Sequence, residues 1–308
     1  MSTYLILVLG TVAVSFALFI AWNVIRHDCR GAAAAAVSLP LCAVLGLLFA
    51  KISYVLLTGE WNTLLTLEPS EYCFTGGAAG VWLGVLLAAW ITGCRPAGNL
   101  LDRFVLPGAL LIAGLRMAEI ELGSLGTGRY IDVPAGSAVL VLAAWNRYGE
   151  PHVAVFFWET LAALVIGLLS LRREKARPGQ CFETAVFRLC ACQVLLENMR
   201  NRALSWGFVR VEQLLCALIL LALLLLACVR NKKKQEVRRF LPVLYLVVCF
   251  AAIVGIEFLR QRSPSRFMGE HGGFLMMGTV LCVVLLLYRS VVTGHLLRHP
   301  PDNPDMNR

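Results

Sequence analysis

Apolar runs of about 20 residues alternate with short polar segments along the whole chain. A run of this length is what an α-helix needs to cross the hydrocarbon core of a bilayer. The pattern therefore predicts an all-α polytopic membrane protein with about nine transmembrane helices. The predicted spans are residues 4–25, 33–57, 78–93, 103–120, 153–171, 183–198, 208–229, 240–260 and 272–288.

The composition supports a membrane protein. The chain has 308 residues, of which 58% are hydrophobic and only 15% charged, and its mean hydropathy is +0.73. A soluble domain of this size does not need so much apolar residue. The first span has no basic residue before it and is too long for the apolar part of a signal peptide, so we expect it to be retained.

The basic residues predict the orientation and explain the net charge of +9 without a nucleic-acid partner. If the N-terminus lies outside, 17 of the 28 lysines and arginines fall on the cytoplasmic side and 7 on the opposite side. The positive-inside rule then predicts an outside N-terminus and a cytoplasmic C-terminus. The basic run 230–239 is expected to lie on anionic cytoplasmic lipid.

Cysteine and histidine spacing gives no sign of a metal site. Eleven cysteines are scattered singly in apolar runs without a CxxC pair, which favours buried small hydrophobes. The five histidines are dispersed and lack ligand spacing. We expect neither a metal ion nor a cofactor.

Ionisable residues collect at the predicted outer ends of the spans. An ionisable group in the membrane costs about 2.5–3.5 kcal/mol, so an unpaired one is rarely kept without a use. Snorkelling to the interface is an alternative that suits arginine, but a glutamate side chain is too short for it. We therefore favour a polar cavity. Local i,i+3 pairing is the alternative explanation for Arg116 and Glu119, but it does not account for Glu159 or Glu197, which lie on other helices. The ionisable residues at the predicted outer ends of the spans are Arg116, Glu119, Glu121, Glu159, Glu197, Arg200 and Arg210.

Four segments resemble the prolipoprotein diacylglyceryl transferase family, in the same order and spacing. A fifth segment, "FTGGAAGVWLGVLLAAW" (74–90), is more loosely similar to the third helix of that family. The resemblance covers roughly residues 1–230 and implies a seven-helix core to which two helices are added. The four segments are "GLRMAEIELGSLGTGR" (114–129), "WNRYGEPHVAVFFWETL" (145–161), "CQVLLENMRNR" (192–202) and "GFVRVEQLLCALIL" (207–220).

The resemblance implies a reaction at the outer leaflet of the bacterial plasma membrane. The diacylglyceryl group of phosphatidylglycerol is transferred to the cysteine thiol of a lipobox-bearing lipoprotein precursor, and glycerol phosphate leaves. Arginine forks suit the phosphate, and a thiol of pKa about 8.5 needs a base or a nearby cation. The glycines between 123 and 128 would let the backbone approach the lipid headgroup, with Arg129 at the rim.

Residue by residue, the resemblance implies catalytic roles for Arg116, Glu159 and Glu197. The chain departs from the family pattern at three places. Ala79-Gly80-Val81 stands where the family has His-Gly-Gly, Glu119 where it has asparagine, and Gln193 where it has arginine. The residues expected to bind the lipid headgroup are Arg116, Glu119, Arg129, Gln193 and Arg200.

Two histidines are candidates to replace the missing one. His152 precedes the fifth span, and the alternative is a solvated loop histidine. His271-Gly272-Gly273 lies at the start of the last predicted span, as His-Gly-Gly lies at the start of the third helix in the family. The alternative is that this three-residue match arises by chance.

The predicted organisation has four parts: residues 1–230 as the transferase-like domain, 231–239 as a cytoplasmic basic loop, 240–290 as two further transmembrane helices and 291–308 as a cytoplasmic tail. The favoured function is an active transferase with a rearranged base. The alternative is a protein on the same scaffold that binds a lipid or a lipoprotein without catalysis. Transport of a small molecule is a weaker third, because the chain shows no inverted repeat.

Overall fold

The structure is a computed structural model that describes residues 2–66, 68–125, 127–128, 130, 143–145, 148–171, 177–200, 204–206, 209–230, 242–252, 255 and 278–288. The chain divides into two compact units, Met1–Cys216 and Ala217–Arg308, with the division inside the seventh helix. The first seven helices are α1 (Ser2–Ile25), α2 (Cys29–Thr58), α3 (Phe74–Ile91), α4 (Ala97–Ala118), α5 (Val155–Ser170), α6 (Gln180–Leu196) and α7 (Val211–Arg230).

The helices confirm the prediction of an all-α polytopic membrane protein. In the described part of the chain, α1, α2, α3 and α7 are each long and apolar enough to cross a membrane. Three further apolar helices are shorter as described: α5, α8 (Pro242–Ala252) and α9 (Gly278–Tyr288). Each of the nine predicted spans thus contains a helix.

In the first unit, α2 packs along α3, and α4 packs against both α1 and α5. The contact with α2 uses a face of α3 on which glycines recur every fourth residue, at 76, 80 and 84. A Cβ atom at Gly80 would overlap the carbonyl group of Leu45 in α2. Small residues of this kind let two membrane helices approach closely.

Polar contacts join the end of α1 to α2 and α4. Asp28 caps α2 by accepting a hydrogen bond from the Gly31 amide at 2.8 Å. Arg103 of α4 pairs with Asp28 at 2.5 Å and donates to the buried Asn23 of α1 at 2.8 Å. Phe19 packs on Phe104 beside this contact, with ring centroids 5.0 Å apart.

Several helices begin earlier than the apolar windows predict, α3 and α4 among them. The helix α4 begins at Ala97 instead of 103, and α3 at Phe74 instead of 78. The window misses the start of α4 because Asp102 is charged, yet Asp102 has partners in the protein. It accepts hydrogen bonds from the amides of Gly179 and Phe182 at the start of α6. A hydropathy window registers the charge of a residue but contains no information about the partner that the residue has in the folded protein.

Two small hairpins lead into helices. Strand β1 (Ala143–Trp145) pairs antiparallel with β2 (Pro151–Val153), and α5 begins two residues later. Strand β3 (Ser205–Trp206) pairs with β4 (Val209–Arg210), which runs directly into α7. Short 3-10 turns cover Trp61–Leu65, Pro69–Glu71, Glu119–Leu125 and Glu197–Met199.

Candidate active site

Arg116 occupies the last turn of α4 and is only 4% exposed. Its Nη1 lies 2.6 Å from Oε1 of Glu119, the first residue of the following 3-10 turn. This is the i,i+3 pair that the sequence predicts. The guanidinium also stacks on the ring of Phe74 at the start of α3, 3.8 Å from its centroid.

Glu159 of α5 joins Arg116 to a second arginine. Its Oε2 lies 3.2 Å from Nε of Arg116 and 2.5 Å from Nη2 of Arg200. The Nε group of Arg116 is not aligned to donate to Glu159, and it is buried without a hydrogen bond. Arg200 follows the 3-10 turn after α6 and also reaches Oε2 of Glu119 at 3.0 Å. Each of the two guanidinium groups thus contacts the same two carboxyl groups.

Gln193 and Glu197 complete the arrangement from the end of α6. Nε2 of Gln193 donates to Oε1 of Glu159 at 2.9 Å and to Oε2 of Glu197 at 3.0 Å. Arg200 contacts Glu197 only loosely, with Nε 3.7 Å from Oε2. The side chain of Glu197 is as deeply buried as that of Glu159.

We call these six residues the buried charge cluster: Arg116, Glu119, Glu159, Gln193, Glu197 and Arg200. The cluster lies where α4 and α6 end and α5 begins. It combines three carboxyl groups with two guanidinium groups. Removing one partner from such a buried network costs about 3–5 kcal/mol, because it leaves an uncompensated charge behind.

The snorkelling alternative does not describe Arg200 or Arg210. Arg200 is 9% exposed and pairs inside the protein. Nη1 of Arg210 donates to the backbone carbonyls of Glu197 and Arg200, the latter at 3.0 Å. Arg210 therefore fastens the start of α7 to the turn that carries the cluster.

Gly128 brings a backbone segment against the cluster. It forms an antiparallel bridge with Arg200 and donates its amide to the Val153 carbonyl at 2.7 Å. A Cβ atom here would lie 2.5 Å from the Met199 carbonyl oxygen. At Gly128 the backbone thus approaches the protein's own backbone, and the predicted approach of this segment to a lipid headgroup stays a prediction.

His152 lies next to this segment. Its Nδ1 is 3.0 Å from the Gly128 carbonyl oxygen, and its Nε2 is 4.0 Å from a carboxylate oxygen of Glu150. His152 is thus linked through Gly128 to the backbone of Arg200. Arg129 and His271, the other two predicted site residues, lie outside the described residues.

Three contributors were missed by the sequence reasoning. Phe74 supports Arg116, and Tyr4 of α1 interacts electrostatically with Glu119 and Arg116. Glu212 of α7 is buried and caps α3, since it accepts hydrogen bonds from the Cys73 thiol at 3.1 Å and the Thr75 amide at 3.2 Å. An apolar window contains no signal for any of these three contacts.

Comparison with known proteins identifies the matched part of the chain. A family model described as prolipoprotein diacylglyceryl transferase matches residues 4–229, well over half of the chain and a range that contains the buried charge cluster. No curated protein and no solved structure matches the chain significantly. Among the described residues, no group of three or more His, Cys, Asp or Glu side chains is arranged to hold a metal ion.

Proposed function

Because the chain belongs to the prolipoprotein diacylglyceryl transferase family, we propose that it transfers the diacylglyceryl group of phosphatidylglycerol to the thiol of a lipobox cysteine. The cysteine sulfur forms a bond to the terminal glyceryl carbon, the bond from that carbon to the phosphate oxygen breaks, and glycerol phosphate leaves. The observation that carries the proposal is the buried charge cluster, which lies inside the matched range.

The two arginines suit the phosphate of the donor lipid. A guanidinium fork binds a phosphate through two parallel hydrogen bonds, as it binds a carboxylate. Glu119 bridges Arg116 and Arg200, and its side chain is 16% exposed, against 3% for Glu159. In our proposal the phosphate takes the place of Glu119 between the two guanidinium groups, while Glu159 keeps both in position. Negative charge that develops on the leaving phosphate is then stabilised in place.

The departures from the family pattern change how the site works. Ala79 carries no titratable group where the resemblance implies histidine, and Gln193 offers a neutral amide where it implies arginine. We propose that the clamp rests on Arg116 and Arg200, with Arg129 at the rim. Proton removal from the thiol then needs a residue other than the one at position 79.

The reaction is proposed to occur at the outer leaflet of the bacterial plasma membrane. This placement follows from the predicted orientation, in which the N-terminus lies outside and the C-terminus in the cytoplasm. The partners are phosphatidylglycerol and a lipobox-bearing lipoprotein precursor, and no cofactor enters the proposed reaction.

Complementation tests the proposal. The protein is expressed in bacteria whose own transferase is depleted, and lipid labelling of a lipoprotein precursor is followed. We expect labelling by the native chain and a loss of about 10²–10³-fold in Arg116→Ala, since a main donor to the developing charge is gone. Glu121→Gln is the matched control, because the structure leaves Glu121 exposed, in the same 3-10 turn as Glu119 but outside the buried charge cluster. His152→Ala and His271→Ala test the two candidate histidines.

One observation favours the second function, binding without catalysis. Both guanidinium groups of the cluster are already paired with carboxylates, which stabilises the site without a substrate. A native chain that reaches the membrane and gives no labelling would contradict the transferase. The lipid that copurifies with the protein would then identify what it binds.

A further inference from the structure

We infer that Glu197 is the general base that takes the proton of the acceptor thiol, and that Gln193 positions it. The inference rests on the proposed transferase reaction and names a proton acceptor for it. It follows from comparing how the three carboxyl groups of the buried charge cluster are neutralised by their neighbours.

Glu159 and Glu119 are fully engaged by guanidinium groups. Glu159 receives hydrogen bonds from Arg200 and Gln193 and lies 3.2 Å from Nε of Arg116. Glu119 places one oxygen on Arg116 and the other on Arg200, at 2.6 and 3.0 Å. Each carboxylate oxygen of Glu159 and Glu119 thus contacts a guanidinium group.

Glu197 is neutralised much less. Its Oε2 accepts one hydrogen bond from the neutral amide of Gln193, and the contact with Arg200 is 3.7 Å long. Oε1 of Glu197 accepts no hydrogen bond from the residues that the structure describes. The side chain of Glu197 is nevertheless buried, with only 3% of its surface exposed. A general base needs a carboxylate oxygen that is not already engaged by a cation, and in the described part of the chain Glu197 meets this condition better than Glu159 or Glu119.

Gln193 explains why Glu197 is neutralised less than Glu159 and Glu119. Its Nε2 bridges Glu159 and Glu197 and so holds Oε2 of Glu197 on the side of Glu159. The second oxygen, Oε1, is left for a substrate. An arginine at the same place would give Glu197 a guanidinium partner and weaken it as a base.

Other charged groups also act on Glu197. They are Arg200 of the same turn, Glu159 of α5, Arg116 of α4 and Glu212 of α7. The pH profile of the reaction therefore reports this whole set and not Glu197 alone.

The proposed step is balanced in atoms and charge. The thiol proton passes to Glu197, the sulfur bonds to the glyceryl carbon, and the carbon–oxygen bond to the phosphate breaks with its electron pair on the leaving oxygen. Glu197 then gives the proton up to the leaving glycerol phosphate or to water, and its carboxylate is restored.

The test measures the pH dependence of transfer by the purified full chain. The donor is phosphatidylglycerol in vesicles, and the acceptor is a lipobox peptide with a single cysteine. At pH 7 we expect Glu197→Gln to lose about 10²–10⁴-fold, the usual contribution of a general base. The loss should shrink as the pH rises towards 9.5, because a thiol of pKa about 8.5 then ionises unaided. Glu197→Asp should retain part of the rate, and Glu121→Gln should behave like the native chain.

Gln193→Arg provides a second readout. The rise of rate with pH should move to lower pH in this variant, because the guanidinium stabilises the Glu197 carboxylate, and the plateau should fall. A purely structural change would lower the rate equally at every pH. A loss in Glu197→Gln that does not change with pH, or no loss, overturns the assignment while the transferase function stands. A native chain that transfers nothing overturns both.

Discussion

Gly128 illustrates how much a single residue without a side chain can decide. A Cβ atom at Gly128 would meet the carbonyl of Met199 and the side chains of Val153 and Val155, and the Gly128 backbone bridges to Arg200. The segment before α5 and the turn after α6 touch at this point. Arg200 is therefore placed by a backbone contact as well as by its ion pairs.

We predict that Gly128→Ala lowers the free energy of unfolding by about 1–3 kcal/mol, the usual cost of overpacking a filled site. The added methyl group would lie 2.5 Å from the Met199 carbonyl oxygen, so backbone has to move. Thermal unfolding in one detergent measures the change. Gly10→Ala is the matched control, since nothing lies within 4 Å of a Cβ at Gly10 and alanine suits a helix better than glycine. Equal behaviour of the two variants would contradict the prediction.

The helices of this protein are joined to one another by polar contacts at their ends. Glu212 of α7 caps α3, Asp102 of α4 accepts from the start of α6, and Asp28 caps α2 while pairing with Arg103. A helix start has amides without an intrahelical partner, and in lipid these must be satisfied by the protein. Carboxylates of neighbouring segments do this here.

The contact at Asp28 predicts a pH dependence of stability. The Gly31 amide and the Arg103 guanidinium lower the pKa of the Asp28 carboxyl group. Its contribution is therefore complete above the unfolded value of about 3.9 and is lost as the pH falls through the lower, folded value. We expect Asp28→Asn to cost roughly 1 kcal/mol at pH 7, because the ion pair is lost while the capping oxygen stays.

Thermal unfolding of both proteins at pH 7 and at pH 3 measures this effect. The native chain and the variant should differ at pH 7 and approach each other at pH 3, which lies below the unfolded pKa of about 3.9 for Asp28. A difference that is the same at both pH values would show that the charge of Asp28 does not contribute.

At the scale of the whole molecule, the orientation in the membrane is a prediction from the distribution of lysine and arginine. Of the 28 basic residues, 17 fall on the side assigned to the cytoplasm when the N-terminus is outside. The buried charge cluster lies at the end of the bundle where α4 and α6 end. In the predicted orientation this is the outer side.

Reporter fusions test the orientation. A green fluorescent protein at the C-terminus should fluoresce, because it folds in the cytoplasm, and alkaline phosphatase fused after residue 148, between α4 and α5, should be active. The reverse pattern would place the cluster on the cytoplasmic side. It would then also contradict the proposed reaction at the outer leaflet.

The sequence predicts the family, the fold class and one pair of the candidate site. The pair Arg116–Glu119 follows from i,i+3 spacing on a helix, and the structure confirms it. Glu159 and Glu197 were expected to share a polar region with Arg116, but their partners were open. The joint contact of Arg200 with Glu119 and Glu159, and the bridge by Gln193, depend on how α4, α5 and α6 pack.

The sequence by itself determined the helical spans, the class of membrane protein and the family, because apolar length and motif order are properties of the chain read in one dimension. Only the tertiary structure decided which carboxylate meets which guanidinium and why residue 128 must be glycine. It also decided that, among the described residues, Glu197 contacts a guanidinium group only loosely, at 3.7 Å. These depend on distances of a few ångströms between helices far apart in sequence. Neither hydropathy nor local spacing contains them.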